Sequence, residues 1–360
     1  MHIFLPTLFL GICLISGSWG YAESGKPSVS SQQNLSSADL QYAGPNLNED
    51  AYQLSLGADY ILWEIAQDGL ETAGNFYSTT AFPTQQGQVY FPKFKLRNGF
   101  KVHAQKILSQ RKNVDLFAEY TWLQTNTYAD SGALPEGSYF YLGNNTYYSD
   151  YYSSSYQYKY NVFDFELGRL SAIAQEVFSI RPFFGLRGVW NSSTWISESI
   201  FPQQSDRLVT ISSAQKTSGA GVRGGIDFSY DIFEPNYRIN NLKIIASTAA
   251  SGIYGSTSVV TQLDVDPEGN FDGYPWYSNV KSSMNRIIPI IDLSIGLSWN
   301  KNLGGTDGDR YNLEIHALWD TQAWINYGKH QVDSGWNTMC LIKPQTLTVQ
   351  GLTIGGSLEF

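Results

Sequence analysis

GLTIGGSLEF, residues Gly351 to Phe360, is the stretch that decides the fold. Leu352, Ile354, Leu358 and Phe360 share one parity; Gly351, Thr353, Gly355, Ser357 and Glu359 share the other. A period of two belongs to a strand with one apolar and one polar face. An apolar face that ends on a bare aromatic suits contact with lipid, with the ring at the membrane interface. The expectation is an all-β fold, a transmembrane antiparallel β-barrel closed by this strand.

Nine further stretches alternate in the same way: Tyr52–Ile65, Lys93–Lys106, Val114–Leu123, Tyr158–Leu170, Phe178–Trp190, Ala220–Ile232, Leu242–Tyr254, Arg286–Trp299 and Tyr311–Trp319. Together with Leu347–Phe360 they predict a barrel of about ten strands. Ile288 and Ile290 interrupt the polar face of the Arg286 stretch, and Ala and Thr dilute the apolar face of the Leu242 stretch. The connections alternate between long and short without exception, which is the asymmetry of short periplasmic turns and long outer loops. Gln124–Gln157, Asn191–Gly219 and Gly255–Asn285 are among the long ones; Ile107–Asn113 and Phe233–Asn241 are short. In this threading Trp63, Trp122, Trp190, Tyr254 and Trp319 form an outer aromatic girdle, and Phe178, Tyr230, Trp299, Tyr311 and Phe360 an inner one.

Composition agrees. Charged residues are 15% of the chain against the ~25% of ordinary soluble proteins, and aromatics are also 15%. No apolar run long enough for a helical span follows the first segment. A net charge of -9 makes nucleic acid a poor partner. Ile3 to Ile15 is almost wholly apolar, and Gly20-Tyr21-Ala22 places small residues at the cleavage positions, so residues 1–22 read as a signal peptide. Residues 23–50, rich in Ser, Gln and Asn, read as a flexible periplasmic leader, and 51–360 as the barrel. Cys13 falls in the apolar segment, so a mature chain keeps only Cys340 and forms no internal disulfide.

Charge on the lipid face is costly, so the charged positions of the strands are expected to face the lumen. They are Lys93, Lys95, Arg97, Lys101, His103, Asp115, Glu119, Asp164, Glu166, Arg181, Arg187, Arg223 and Asp227. Two readings stand side by side: charges that line a path for solutes, and charges that pair and fill a narrow interior. Asp264, Asp266, Glu268 and Asp272 partly match a calcium loop with Gly269 at its turn, but Pro275 occupies the position of the bidentate carboxylate. His316 with Glu314, Asp320 and Asp292 could form a general-base cluster. Tyr139–Tyr160, dense in Tyr, Ser and Asn, reads as an adaptable binding loop.

LSLGADYILWE (54–64), FDFELGRL (163–170), RPFFGLRGVW (181–190) and LTIGGSLEF (352–360) resemble the Legionella-type major outer membrane protein family, which has porin-like relatives in environmental chlamydiae. The resemblance covers about Tyr52 to Phe360 and implies a pore-forming protein of the outer membrane of a Gram-negative-type bacterium; it carries over no catalytic residue. Leu352, Ile354, Leu358 and Phe360 resemble the insertion signal read by the barrel assembly machinery. The expected function is passive diffusion of small polar solutes, without enzyme activity or cofactor. The alternatives are a surface adhesin meeting a host-surface ligand, a structural barrel without an open pore, and a barrel hydrolase.

Overall fold

The structure is a computed structural model that describes residues 54–68, 70, 73–77, 86–90, 93–109, 113–133, 138–142, 145–148, 151–173, 177–201, 207–232, 242–265, 277–303, 311–332 and 341–360. The expected signal peptide and leader lie outside these residues, as do Asp266, Glu268 and Asp272. Fifteen strands follow in order. They are β1 (Leu54–Gln67), β2 (Ala73–Tyr77), β3 (Gln86–Tyr90), β4 (Arg97–Ser109), β5 (Val114–Ala133), β6 (Ser138–Leu142), β7 (Asn145–Tyr148), β8 (Tyr151–Arg169), β9 (Ser171–Ile173), β10 (Phe178–Phe201), β11 (Arg207–Asp231), β12 (Leu242–Val265), β13 (Tyr277–Asn302), β14 (Asn312–Val332) and β15 (Leu341–Glu359).

The main sheet has eleven strands, of which β9 only prolongs the edge of β8 along β10. The other ten close into an antiparallel ring in the order β1-β4-β5-β8-β10-β11-β12-β13-β14-β15. Closure is made by β15 on β1, in register from Gln67 opposite Leu347 to Ser55 opposite Glu359. Leu54 and Phe360 exchange backbone hydrogen bonds of 3.0 Å at its inner end. A closed ring leaves no backbone donor or acceptor facing lipid, which is why a sheet can cross a membrane only in this form. β2, β3, β6 and β7 make a second, four-stranded sheet within the connections that follow β1 and β5.

The outward face divides sharply along the strands. On β12 it is mostly apolar from Ile244 to Tyr254, with Thr248 among Ala and Gly, then mostly polar with Ser256, Ser258, Gln262 and Asp264 around Val260. On β13 Ile287, Ile291, Leu293, Ile295 and Leu297 are exposed, preceded by Asn279, Lys281, Ser283 and Asn285. The apolar band therefore spans about the 9–11 residues a tilted membrane strand needs. Trp190, Tyr254 and Trp319 mark its outer edge, and Tyr230, Tyr311 and Phe360 its inner edge, all exposed. Tyr120 stacks on Trp190 and Phe100 on Trp122 within the outer girdle.

Two sequence expectations are corrected. Trp63 is not in the outer girdle: it shares the parity of Asp59, points into the barrel and is 1% exposed. The long outer loops are largely strand. β13 runs for 26 residues, roughly 85 Å along its path at ~3.3 Å per residue, far beyond the band. The connection expected over Asn191–Gly219 shrinks to residues 202–206 between β10 and β11. Such strands keep alternating, but their outward residues turn polar once they leave lipid, so a search for apolar alternation stops at the membrane boundary.

Leu358→Asp, on the exposed face of the closing strand, is expected to reduce the heat-modifiable folded band in outer-membrane fractions to a small part of its normal yield. Normal yield would mean that β15 does not seal the ring against lipid. A tag at 266–276 is expected to be labelled on intact cells and one at 233–241 only after permeabilisation; the reverse pattern would invert the barrel.

Candidate functional site in the barrel lumen

The inward positions stack in layers. Towards the inner end lies a layer of charge. Arg187 and Asp164 face each other across the β8–β10 pair, and the guanidinium grips the carboxylate with Nε–Oδ1 at 2.6 Å and Nη2–Oδ2 at 2.7 Å. Its third nitrogen reaches Asp292 on β13 at 2.9 Å, and the side chain is 1% exposed. Arg223 on β11 donates to Glu166 at 2.9 Å and also contacts Asp292. Arg181 on β10 holds Asp115 on β5 at 2.6 Å, Asp227 on β11 at 2.7 Å and Glu166 at 3.3 Å. Gly168 makes room for this guanidinium, since a Cβ there would strike its Nε, Cζ and Nη2 atoms.

On the other side Lys101 of β4 meets Asp320 of β14 at 3.2 Å and Glu119 of β5 at 3.7 Å, under the ring of Trp63. Trp63 donates to Thr353, which donates to Asp320. His316 Nε2 lies 3.1 Å from Asp59 Oδ1, and His103 Nδ1 lies 3.7 Å from Asp59 Oδ2. Buried charges of this kind persist only when paired, because the desolvation of each ion costs several kcal/mol. A cavity of about 300 Å³ lies among Lys101, Glu119, Asp164, Arg181 and Arg223.

Above the charges the lumen is crossed by aromatic rings and amides. Tyr156, Tyr158 and Tyr160 project from β8, each at most 1% exposed. Tyr158 donates to Tyr327 Oη on β14 at 2.8 Å, and Tyr160 to Gln322 of β14 at 2.6 Å. Tyr156 donates to Gln67 of β1 at 2.6 Å, and Gln67 to Gln345 of β15. Trp324 packs edge-on against both Tyr160 and Tyr327. In a ring of ten, β8 and β14 are five strands apart in either direction. The Tyr158–Tyr327 and Tyr160–Gln322 bonds therefore join opposite walls. Ile61, Ile65, Leu123, Ile253, Ile288, Ile290, Leu347 and Val349, all buried, complete this layer.

The family profile described as Legionella pneumophila major outer membrane protein precursor matches residues 47–360. The chain belongs to this family. No curated protein matches it. Among solved structures it is similar to the outer membrane protease OmpT of Escherichia coli, at 8% identity and a TM-score of 0.37, over 86% of this chain and 98% of that one. A major outer membrane protein from Thermus thermophilus follows at 14% identity and 0.27, over 86% and 100%. A FadL homologue from Pseudomonas aeruginosa stands at 7% and 0.22, over 86% and 90%. The protein is thus a β-barrel of the outer membrane.

Of the charged residues expected inside, Lys101, His103, Asp115, Glu119, Asp164, Glu166, Arg181, Arg187, Arg223 and Asp227 take part in the inner layer. Lys93 and Lys95 precede β4 and are exposed, so the basic row is shorter than its spacing suggested. Arg97 opens β4 and donates to the backbone oxygen of Asn126. Among the described residues the ion-paired layer holds more acid than base. Lys101, Arg181, Arg187 and Arg223 are four cations; Asp59, Asp115, Glu119, Asp164, Glu166, Asp227, Asp292 and Asp320 are eight carboxylates. The general-base cluster does not assemble around His316. Asp292 is held by arginines, Asp320 by Lys101, and Glu314 accepts from Ser298 at 2.6 Å. Asp264 is the penultimate residue of β12, exposed and paired in register with Tyr277. Leu352, Ile354, Leu358 and Phe360 share the outward face of the closing strand, with Ile354, Leu358 and Phe360 exposed.

The aromatic layer was missed. Residues 151–157, expected in a binding loop, belong to β8 together with the stretch from Tyr158 that was expected as strand, and Tyr152, Tyr156, Tyr158 and Tyr160 point inward. Tyr327 escaped for a different reason. The β14–β15 register shifts between Trp324 and Gly328, with Asn326 at φ 55°, and this bulge lets Trp324 and Tyr327 face the same way despite odd spacing.

Arg187→Met is expected to lower the unfolding free energy in detergent by about 3–5 kcal/mol, the cost of leaving buried carboxylates without their partner. Adding Asp164→Leu should recover part of the loss, which urea titration of the double-mutant cycle would reveal. Strict additivity would show that the pair is screened by water.

Proposed function

We infer that the protein is a surface-presenting structural barrel of the outer membrane whose lumen is shut in the described conformation. The supporting observation is the pair of hydrogen bonds between β8 and β14, Tyr158 to Tyr327 and Tyr160 to Gln322, in which the three tyrosines are fully buried and Gln322 half-buried, from opposite walls. A standing diffusion path would require these rings to leave the axis. They are retained by hydrogen bonds and by edge-to-face contacts that are each worth about 0.5–1.5 kcal/mol beyond area burial. The strands that continue beyond the apolar band fit the same reading, since they carry β-structure outward from a rigid anchor.

A narrow pore is the second reading, favoured by the polar cavity of about 300 Å³ beneath the aromatic layer. It needs only the upper layer to move. Neither reading includes enzyme activity.

Planar-bilayer recording separates the two. The wild-type barrel is expected to be silent or to show only brief openings, and the Tyr158→Ala/Tyr327→Ala variant to conduct steadily. Steady conductance by the wild type, unchanged in the double variant, would replace the structural reading with that of a pore that bypasses this layer.

A further inference from the structure

The charge layer is left with more acid than base, and one corner of it gathers two histidines beside carboxylates. Asp59 on β1, His103 on β4 and Glu119 on β5 each offer a ligand atom, all within 4.8 Å of one another. His316 on β14 adds Nε2 at 3.1 Å from Asp59 Oδ1. That oxygen belongs to a side chain only 4% exposed, and His316 is its one close polar contact. A buried carboxylate oxygen with a single imidazole beside it has lone pairs left for a further partner. Two donors bound to one tetrahedral zinc ion at ~2.0–2.1 Å lie about 3.3 Å apart, close to the separation observed.

The backbone has made space for this corner. In the strand registers Gly355 of β15 lies between Asp59 and His316, and Gly57 of β1 lies opposite His103. A Cβ at Gly355 would overlap the Asp59 carboxyl, and one at Gly57 the His103 ring. The opposing charge is Lys101, which has Asp320 at 3.2 Å and Glu119 at 3.7 Å. With Asp59, Glu119 and Asp320 present, three carboxylates face one ammonium, and a dication improves the balance. Gln105 lines both the 300 Å³ cavity and a smaller one of about 90 Å³ that holds Glu314 and Glu359, so acidic groups border the inner approach.

We propose that Asp59, His103, Glu119 and His316 bind one divalent transition-metal ion of the zinc class in the lumen. Imidazole with carboxylate is a donor set that suits Zn²⁺ among available ions. The ligands sit on β14, β1, β4 and β5, so the ion spans the seam where β15 closes on β1. It acts as a staple on barrel closure, independent of whether the lumen conducts.

The test uses the full-length folded protein in detergent, stripped by chelator and titrated with Zn²⁺ in a calorimeter. One ion per chain is expected, with a rise in the temperature at which the folded band is lost. His103→Ala and His316→Ala should each weaken binding by more than about 100-fold, since losing a ligand costs more than the 10–100-fold of losing its supporting partner. The control His330→Ala/Cys340→Ser should bind as the wild type does. In case the alanine variants fold poorly, a second readout uses wild-type protein alone. Saturating Zn²⁺ should protect His103 and His316 from carbethoxylation, followed by peptide mass. Absence of stoichiometric binding, unprotected histidines, or binding abolished in the control but kept in the ligand variants would each overturn the site.

Discussion

A ring of ten strands leaves a lumen so narrow that side chains from opposite walls can touch. Eight strands enclose an interior that side chains just fill, and ten stand only slightly above that. Whether such a barrel is a channel thus depends on the length of what points inward. Here β8 sends in three consecutive inward tyrosines, and β14 answers with Gln322, Trp324 and Tyr327. The walls flanking them on the β11 and β12 side carry several small inward residues, Gly219 and Gly221 with Ser251 and Gly255, beside Ile253. Long residues on one side and short ones on the other let the rings lie across the axis without pushing the strands apart.

The two layers answer to different constraints. The charge layer lies level with the apolar band, where Asp227 and Ser247 face inward on strands whose neighbours Ile226 and Ile244 face out. Lipid surrounds it, so its ions depend on one another: each arginine touches at least two carboxylates, which come from different strands. The aromatic layer begins at the outer girdle, where Tyr160 on β8 is neighbour to Asn161 rather than to the Phe163 of the band. Its groups are neutral, and it shuts the lumen by contact and hydrogen bonding. A barrel filled in this way is tied together through its axis as well as round its circumference.

Sequence alternation revealed the ring because lipid imposes it from outside. Every strand crossing the band must show apolar residues at every second position, and Phe163, Phe165 and Leu167 on β8 or Ile291, Leu293 and Ile295 on β13 do so plainly. The luminal charges were legible for the same reason, as the other parity. What lay beyond the band was not. Once the outward face turns polar, the Tyr and Ser of 151–157 look like a loop, although the buried Tyr152 and Tyr156 are part of the filling of the barrel. Trp63, Ile288 and Ile290 were the available signals: apolar residues on luminal parity near the outer girdle point to a lumen that is packed there rather than wet. Tyr327 could not be placed by parity at all, because the bulge at Asn326 changes the count.

Coupling between layers runs through residues that belong to both. Trp63 is one: its ring lies 4.8 Å from the Lys101 ammonium below and packs edge-on with Tyr160 above. Its indole N–H, through Thr353, reaches the same Asp320 that holds Lys101. Gln322 accepts from Tyr160 and from Trp324 on the aromatic side while also lining the polar cavity. Displacing the aromatic layer therefore removes contacts from the charge layer, and loosening the Lys101 corner deprives Trp63 of its floor. Side chains in one such network do not contribute independently. An opening of this lumen, if driven from either end, would be a concerted change of both layers rather than the swing of a single ring.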